Sequence, residues 1–495
     1  MLRLIFKDDG SEHEDLLLQF GEELKRGDSY YLALDRAIDP KDSSPRKVRV
    51  VLRAMFTAWL KALEVLPSER LYLLVDVSDQ STTWIEVTPK NEKLKLKLGW
   101  STREGFSVTP SKDAVCHSTP DDFTAVTGVD KLKMSHEDLC DSIERCRRML
   151  DVQECSESDP TSILEHYRGA YGSQLLVAAV SHFDLFTKLA NGPLMMDELR
   201  RQLELEKRPF NVLTTALRAM ELLEVDRGRV SATPQALAHL TAQTFDMRDY
   251  IGLMATSPDV LNMVELLRNN KPVGSDSDDG VAFIFRDGVK SAMDSSNLAR
   301  HFTESLAGRA KIVAPVMARQ IELPVDEPST LLDVGGGSGI YSIALLARYP
   351  LLTATIMDSE EVLAVADEYA QRYGVDDRLT LLPGDMFTSP LPKSDRVLLS
   401  NILHDWDVPE CYKLVQRCAE ALSDEGQLLI HDVYLHDDLS GPLPIALYSA
   451  ALFSFTEGRA YSAAEYQDWM EDAGLQVSGP FATAVHCGVL VGQQP

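Results

Sequence analysis

Cations are scarce in this chain. Lys and Arg number 49 against 76 Asp and Glu, a formal net charge of −27 at pH 7. Phosphate backbones and anionic lipid surfaces are held by basic patches, so this deficit argues against nucleic acid and membranes as partners. Long apolar runs are missing too; none approaches the ~20 residues that span a bilayer. After Met1-Leu2-Arg3-Leu4-Ile5-Phe6 come Lys7, Asp8 and Asp9, which is not the plan of a secretion signal. The seven cysteines are scattered, odd in number and without a C-x-x-C pair, the usage of free thiols in a reducing cytoplasm. Cys116, His117, His136, Cys140 and Cys146 match no standard zinc spacing, and no metal is expected.

What is present is an ordinary globular balance over 495 residues, too many for one core. Three domains are expected. Residues 1–155 read as a small α+β accessory domain of unknown role with a core of its own. Its pattern predicts helices over 14–25 and 48–65 and strands over 2–7, 30–34, 71–77, 82–87 and 94–98. A Ser/Thr/Pro/Asp-rich loop over 101–129 and a helix over 135–150, capped by Ser135, follow. Cys155-Ser156-Glu157-Ser158-Asp159-Pro160 is a turn-rich break.

Residues 156–315 read as helical. Helices over 173–189, 196–203 and 209–223 and a hairpin over 224–231 make a winged-helix plan. Duplex DNA is the obvious ligand of that plan, but the acidic balance opposes it. The 173–189 segment carries Leu175, Leu176, Ala179, Val180, Phe183, Phe186 and Leu189, a broad apolar face. A second copy of the chain suits it better, so a homodimer through residues 161–245 is expected.

Residues 316–495 alternate strand and helix, a Rossmann-like doubly wound α/β domain. Its first strand runs through Leu331-Leu332-Asp333-Val334 into Gly335-Gly336-Gly337-Ser338-Gly339. Glycine lets backbone approach a ligand closely. The dinucleotide pattern G-x-G-x-x-G would need a third glycine where Ile340 stands, and Asp333 suits a cationic ligand better than a pyrophosphate. Asp358, Asp385 and His404-Asp405 follow three further strands, so they should converge on one crevice at the carboxyl edge. An acid after the second strand suits a ribose diol. Asp385-Met386-Phe387 offers an acceptor for an exocyclic amine and apolar side chains for a ring. His404 would lie at the reactive end of that ligand.

Four stretches occur in order: Leu332 to Gly339, Pro383-Gly384-Asp385-Met386-Phe387, Leu403-His404-Asp405-Trp406 and Thr456-Glu457-Gly458. Together they resemble the small-molecule O-methyltransferases that use S-adenosylmethionine, the group of plant caffeate and animal acetylserotonin O-methyltransferases. The resemblance covers about residues 161–493, and that family dimerises through its winged-helix segment. It implies S-adenosyl-L-methionine as cofactor, held by Asp333, Gly335, Gly337, Asp358, Gly384, Asp385, Met386, Phe387, Ser400 and Asp405, with Met293 near its sulfur. His404 would be the general base and Asp432 its orienting acid, with Tyr448 and Leu452 against a small-molecule acceptor.

Some positions depart from the family pattern. Asp432 stands where the family often has the longer Glu, so a looser or water-bridged contact to His404 is expected. Ser400 replaces a Lys of the plant members. Ala460-Tyr461-Ser462 takes the place of Glu-Arg-Thr, which removes a second orienting Glu and leaves Glu457 as its substitute. His431 is the second candidate base. The expected activity is methylation of a phenolic hydroxyl of a small secondary metabolite in the cytoplasm. C- or N-methylation on the same fold, or a non-catalytic cofactor-binding scaffold, are the alternatives.

Overall fold

A computed structural model describes residues 1–90, 93–154, 158–272, 284 and 296–494 of the chain. Met293 and the expected domain boundary at 155/156 lie outside the described residues.

The architecture is organised by one sheet. Strands β1 (Ser329–Val334), β2 (Leu352–Asp358), β3 (Leu379–Pro383), β4 (Ser394–Ser400), β5 (Leu422–Leu435), β6 (Gln476–Ala482) and β7 (Cys487–Gln493) lie in the order 3-2-1-4-5-7-6, and Tyr461–Ser462 pairs beside the end of β5. The first five are parallel, and β7 runs antiparallel to both β5 and β6. Parallel strands need cover on both faces, and the sequence supplies apolar residues for both. Leu332, Val334, Val397, Leu399, Leu428 and Ile430 enter one core, while Leu331, Leu398 and Leu429 enter the other. Strand order reverses at β1, between β2 and β4, which opens the crevice where such sheets bind ligands.

The helix Ser296–Gln320 packs on the helices Ile340–Leu346 and Glu360–Tyr373. The expected boundary at 315/316 therefore falls inside a helix that belongs to the sheet's own cover. The helix Leu443–Phe455 is apolar all round and packs on Lys207–Ala219 of the helical unit, whose core takes in Ala450 and Phe453. In that unit Leu194–Met195, Leu223–Asp226 and Arg229–Ala232 form one small sheet. The single helix expected over 173–189 is broken. Ala170–Val177 is α, Ala178–His182 is a π turn, and Asp184 sits at φ +48 before Leu185–Leu189. Asp tolerates that left-handed conformation, and the π turn inserts the residue that shifts the apolar face.

The N-terminal unit differs most from expectation. Residues 14–25 form a hairpin, Leu16–Phe20 with Glu23–Gly27, and Tyr30–Ala33 is a helical turn. Leu16–Phe20 also pairs with Leu2–Phe6, and both strands are almost wholly buried. A strand covered on both faces shows no alternation, so its run of leucines imitates helical spacing. Nor is the core separate. Leu2, Leu4 and Met149 share one apolar cluster with Ala310, Val313, Tyr349 and Leu352. Gln153 Nε2 donates to the carbonyls of Phe6 at 2.9 Å and Ala347 at 2.7 Å, and Arg145 grips Asp376 with both amino groups.

Candidate active site

The carboxyl edge of the sheet gathers the expected acids and His404. After β1 the glycine loop turns under left-handed conformations at Gly335, Gly337 and Gly339. A Cβ at Gly335 would lie 2.7 Å from Ile402, whereas at Gly337 it would meet nothing within 4 Å, so the loop presents bare backbone to open space there. Asp333 lies beneath it. Its Oδ2 accepts the Ser342 hydroxyl at 2.6 Å, and its buried Oδ1 has no partner among the described residues. Burial pushes this carboxyl up to about 7, against the pull of Ser342. At the end of β2, Asp358 accepts the N–H of Gly337 at 2.9 Å and of Ser359 at 2.8 Å. Beyond β3, after Gly384, the exposed Asp385 accepts from the Phe387 N–H and the Thr388 hydroxyl. Met386 is half-buried beside it. Phe387 is a core residue, edge-on to Trp406 with centroids 5.0 Å apart.

His404 stands in the short turn after β4. Its Nδ1 lies 2.6 Å from Asp432 Oδ1, a direct contact and not the looser one expected from the shorter side chain. Asp432 is held in turn by the Val433 N–H at 2.8 Å and by the Tyr466 hydroxyl, which donates to Oδ2 at 3.0 Å. Tyr466 thus occupies the second orienting position on Asp432, whereas Ala460 is buried with its N–H on Ser449. Burial opposes a charge on His404, but the carboxylates of Asp432 and Asp405 outweigh it and hold the imidazole above its ordinary range. Burial alone would raise Asp432; His404, Val433 and Tyr466 keep it below the usual carboxylate range. Asp405 Oδ1 lies 3.7 Å from His404 Nε2, and burial pushes its carboxyl up to about 7. Gly458 packs on the back of this turn. A Cβ there would come within 2.2 Å of the His404 carbonyl, so only glycine fits.

One expectation changes, that of His431 as a second base. His431 is fully buried, with Nδ1 3.0 Å from Ser400 Oγ and Nε2 3.1 Å from Thr483 Oγ1. Burial, then the Arg309 charge, lower it to about 3, so it is a neutral structural imidazole and not a base. The Ser400 hydroxyl is spent on His431 and Asn401. Asn401 follows β4 in the left-handed region at φ +57 and turns its side chain to Tyr341 and Arg309. On the other side of His404 stands Tyr448, edge to face at 5.8 Å between centroids, with Leu452 buried one turn further along its helix. Sequence reasoning missed Tyr466, Arg168, Arg309 and Asn401. All four lie outside the motifs.

These features match known proteins. An O-methyltransferase domain model matches residues 280–476. Over 340 residues the chain is 33% identical to 3-hydroxy-5-methyl-1-naphthoate 3-O-methyltransferase of Streptomyces sahachiroi, covering 67% of this chain and 95% of that one. It is 30% identical to the tetracenomycin polyketide synthesis 8-O-methyl transferase TcmO of Streptomyces glaucescens, over 66% of this chain and 96% of that one. Among solved structures, an O-methyltransferase family 2 protein from Planctomyces limnophilus, in complex with apigenin, is 41% identical with a TM-score of 0.62, over 70% of this chain and 99% of that one. The chain therefore belongs to the S-adenosylmethionine-dependent O-methyltransferases that act on small molecules.

Proposed function

We propose that the acceptor hydroxyl is phenolic and that His404 removes its proton. The 2.6 Å contact from Nδ1 to Asp432 carries this reading. A proton shared on Nδ1 leaves Nε2 as a free acceptor, and Asp432 stabilises the imidazolium that forms when Nε2 takes the acceptor's proton. A phenol ionises near pH ~10, so a positioned base matters at neutral pH. The relative named above for a hydroxynaphthoate and the solved neighbour holding apigenin, both phenols, support the acceptor class.

The residues present fit the cofactor. The bare Gly337 backbone and the orphaned Asp333 Oδ1 suit a close-lying ligand with an amine. Gly335, Gly337, Asp333, Asp358, Asp385 and Met386 would hold it, and when bound it supplies a methyl group on a cationic sulfur.

His404→Ala should keep its affinity for S-adenosylhomocysteine and lose roughly 10²–10⁴-fold in kcat at neutral pH, with the defect shrinking towards the acceptor's own pKa. Because His404 acts as base only when neutral and its pKa is raised, the wild-type rate should climb with pH through that raised value. Asp432→Asn should lose less, and the double variant should be less than additive. Wild-type turnover by His404→Ala at neutral pH would end this assignment.

The helical unit exposes Ile163, Tyr167 and Phe245, each more than two thirds accessible. A homodimer through residues 161–245 would cover them. Light scattering at micromolar concentration should give twice the chain mass; a monomer would refute it. Among the described residues no helix is long and apolar enough to cross a membrane.

A further inference from the structure

Two guanidiniums stand on the Tyr448 ring, which lies edge to face with His404, and among the described residues neither has a carboxylate partner. Arg168, the last residue of the helix Thr161–Arg168, is only 6% exposed, and its Cζ lies 3.7 Å from the centre of the Tyr448 ring. Arg309 approaches the same ring at 5.7 Å from the helix Ser296–Gln320. Arg309 donates to Asn401 Oδ1 and Cys487 Sγ, both at 2.8 Å, and its buried Nε has no acceptor. Among the described residues the Arg168 side chain makes no hydrogen bond or ion pair. The acids within reach, Asp432 and Asp405, are already turned to His404.

That arrangement is unusual within this molecule. Other buried arginines turn at least one terminal nitrogen to an acceptor, Arg49 to Asp8, Arg459 to Glu465, and Arg208 and Arg378 to backbone carbonyls, though the Arg378 Nε, like that of Arg309, has no acceptor among the described residues. Removing a cation from water without a counter-charge is strongly unfavourable. The Tyr448 ring and the carboxyl end of the Thr161–Arg168 helix offset part of that cost. The like charges of Arg168 and Arg309 add to it. An anion placed between them would relieve both.

We propose that this pair binds a carboxylate of the acceptor, so that the methylated compound is an aromatic acid carrying the reacting hydroxyl. The proposal rests on the reading that Tyr448 and His404 face the acceptor. Guanidinium is planar and presents paired donors that match a carboxylate, and it stacks on an aromatic ring as Arg168 does here. The chain's net charge of −27 repels acids at long range, so selection for one must come from local contacts such as these. The cofactor's amino-acid tail also has a carboxylate. Its expected place is the glycine loop beyond β1, whereas the arginines cluster on Tyr448.

The test is calorimetry on the full chain saturated with S-adenosylhomocysteine. The probes are salicylate, 1-naphthoate and 3-hydroxy-2-naphthoate, each set against its own amide. At least one acid should bind ~10-fold or more tightly than its amide, as expected for a hydrogen bond between charged groups. Arg168→Met should erase most of that preference, and Arg168→Lys should retain part of it. Arg168→Met should bind S-adenosylhomocysteine as the wild type does, and its thermal midpoint without ligand should not fall, because an unpaired buried charge has been removed. The proposal is overturned if no acid outbinds its amide, or if the preference survives Arg168→Met. It is equally overturned if S-adenosylhomocysteine affinity falls, which would give the carboxylate to the cofactor, or if the midpoint drops, which would make Arg168 structural. Binding is read without turnover, so failure of His404 as base would leave this result standing.

Discussion

The carboxyl edge of the sheet and the junction with the first 155 residues both bury charge, to opposite effect. At the edge, groups are left with unspent capacity. Among the described residues Asp333 Oδ1 has no donor and Arg168 no counter-ion, and burial pushes Asp405 up to about 7. At the junction, charge is used as mortar. Arg378 donates to the carbonyls of Leu346, Tyr349 and Leu352 and reaches Met149 across the junction. Arg3 pairs with Asp377 at 2.5 Å and Arg145 with Asp376. Desolvated groups without partners are costly and persist where a ligand satisfies them. Desolvated groups with partners lock one surface to another. The first region therefore has the character of the binding site we propose, and the second behaves as protein interior.

The largest effect should come from breaking the junction outright. A chain beginning at Asp159 would expose the face of Ala310, Val313, Ala347 and Tyr349 that now shares a core with Leu2, Leu4 and Met149. It should be insoluble or lack a cooperative thermal transition. A soluble fragment that melts cooperatively and binds S-adenosylhomocysteine would restore the view that the N-terminal unit folds apart.

A milder cut separates the two regions by what each variant loses. Arg378→Ala removes the charged donor shared by the interior carbonyls of Leu346, Tyr349 and Leu352 and leaves a cavity, and should cost about 2–5 kcal/mol of stability in a denaturant titration. Asp358→Ala, at the edge, should do the reverse: weaken S-adenosylhomocysteine binding strongly and change stability little. If Arg378→Ala instead leaves the denaturation midpoint unmoved, the junction is not the sealed interior described above.

The contrast also explains what was legible in the sequence. β1 to β5 and their helices announce themselves because each strand carries or leads into a chemical marker, Gly335, Asp358, Asp385 and His404 after β1 to β4 and Asp432 within β5. The short hairpin of Leu223–Asp226 with Arg229–Ala232 was legible from its turn residues. The N-terminal hairpin was not, because Leu16-Leu17-Leu18 is buried on both faces and loses the alternation that identifies a strand. The His404–Asp432 pair could be named from its place in the chain, but the Tyr466 hydroxyl that completes it could not. It lies 34 residues beyond Asp432, on a helix face that reads as core. Arg168 and Arg309 were invisible for the same reason: only the fold brings two distant helices to one ring.

The smallest expected effect concerns Asp333 and is a proton count. In the free enzyme burial raises this carboxyl to about 7, well above the ordinary value of 3.8. Its contribution to stability is therefore present at low pH and is lost as pH rises through about 7, the opposite of a salt-bridged acid. A bound ligand with an ammonium group near Oδ1 would favour the charged form and pull the value back down. At pH 7 the free carboxyl is roughly half protonated, so binding S-adenosylhomocysteine should release up to ~0.5 proton from this site. Calorimetry at pH 7 in two buffers of different ionisation enthalpy measures that release directly. Asp405, also near 7, contributes to the same count, so Asp333→Asn should reduce the release without abolishing it. Binding enthalpies that agree between buffers in the wild type would mean that Asp333 keeps its protonation state on binding, and that its unpartnered oxygen belongs to the loop and not to the cofactor.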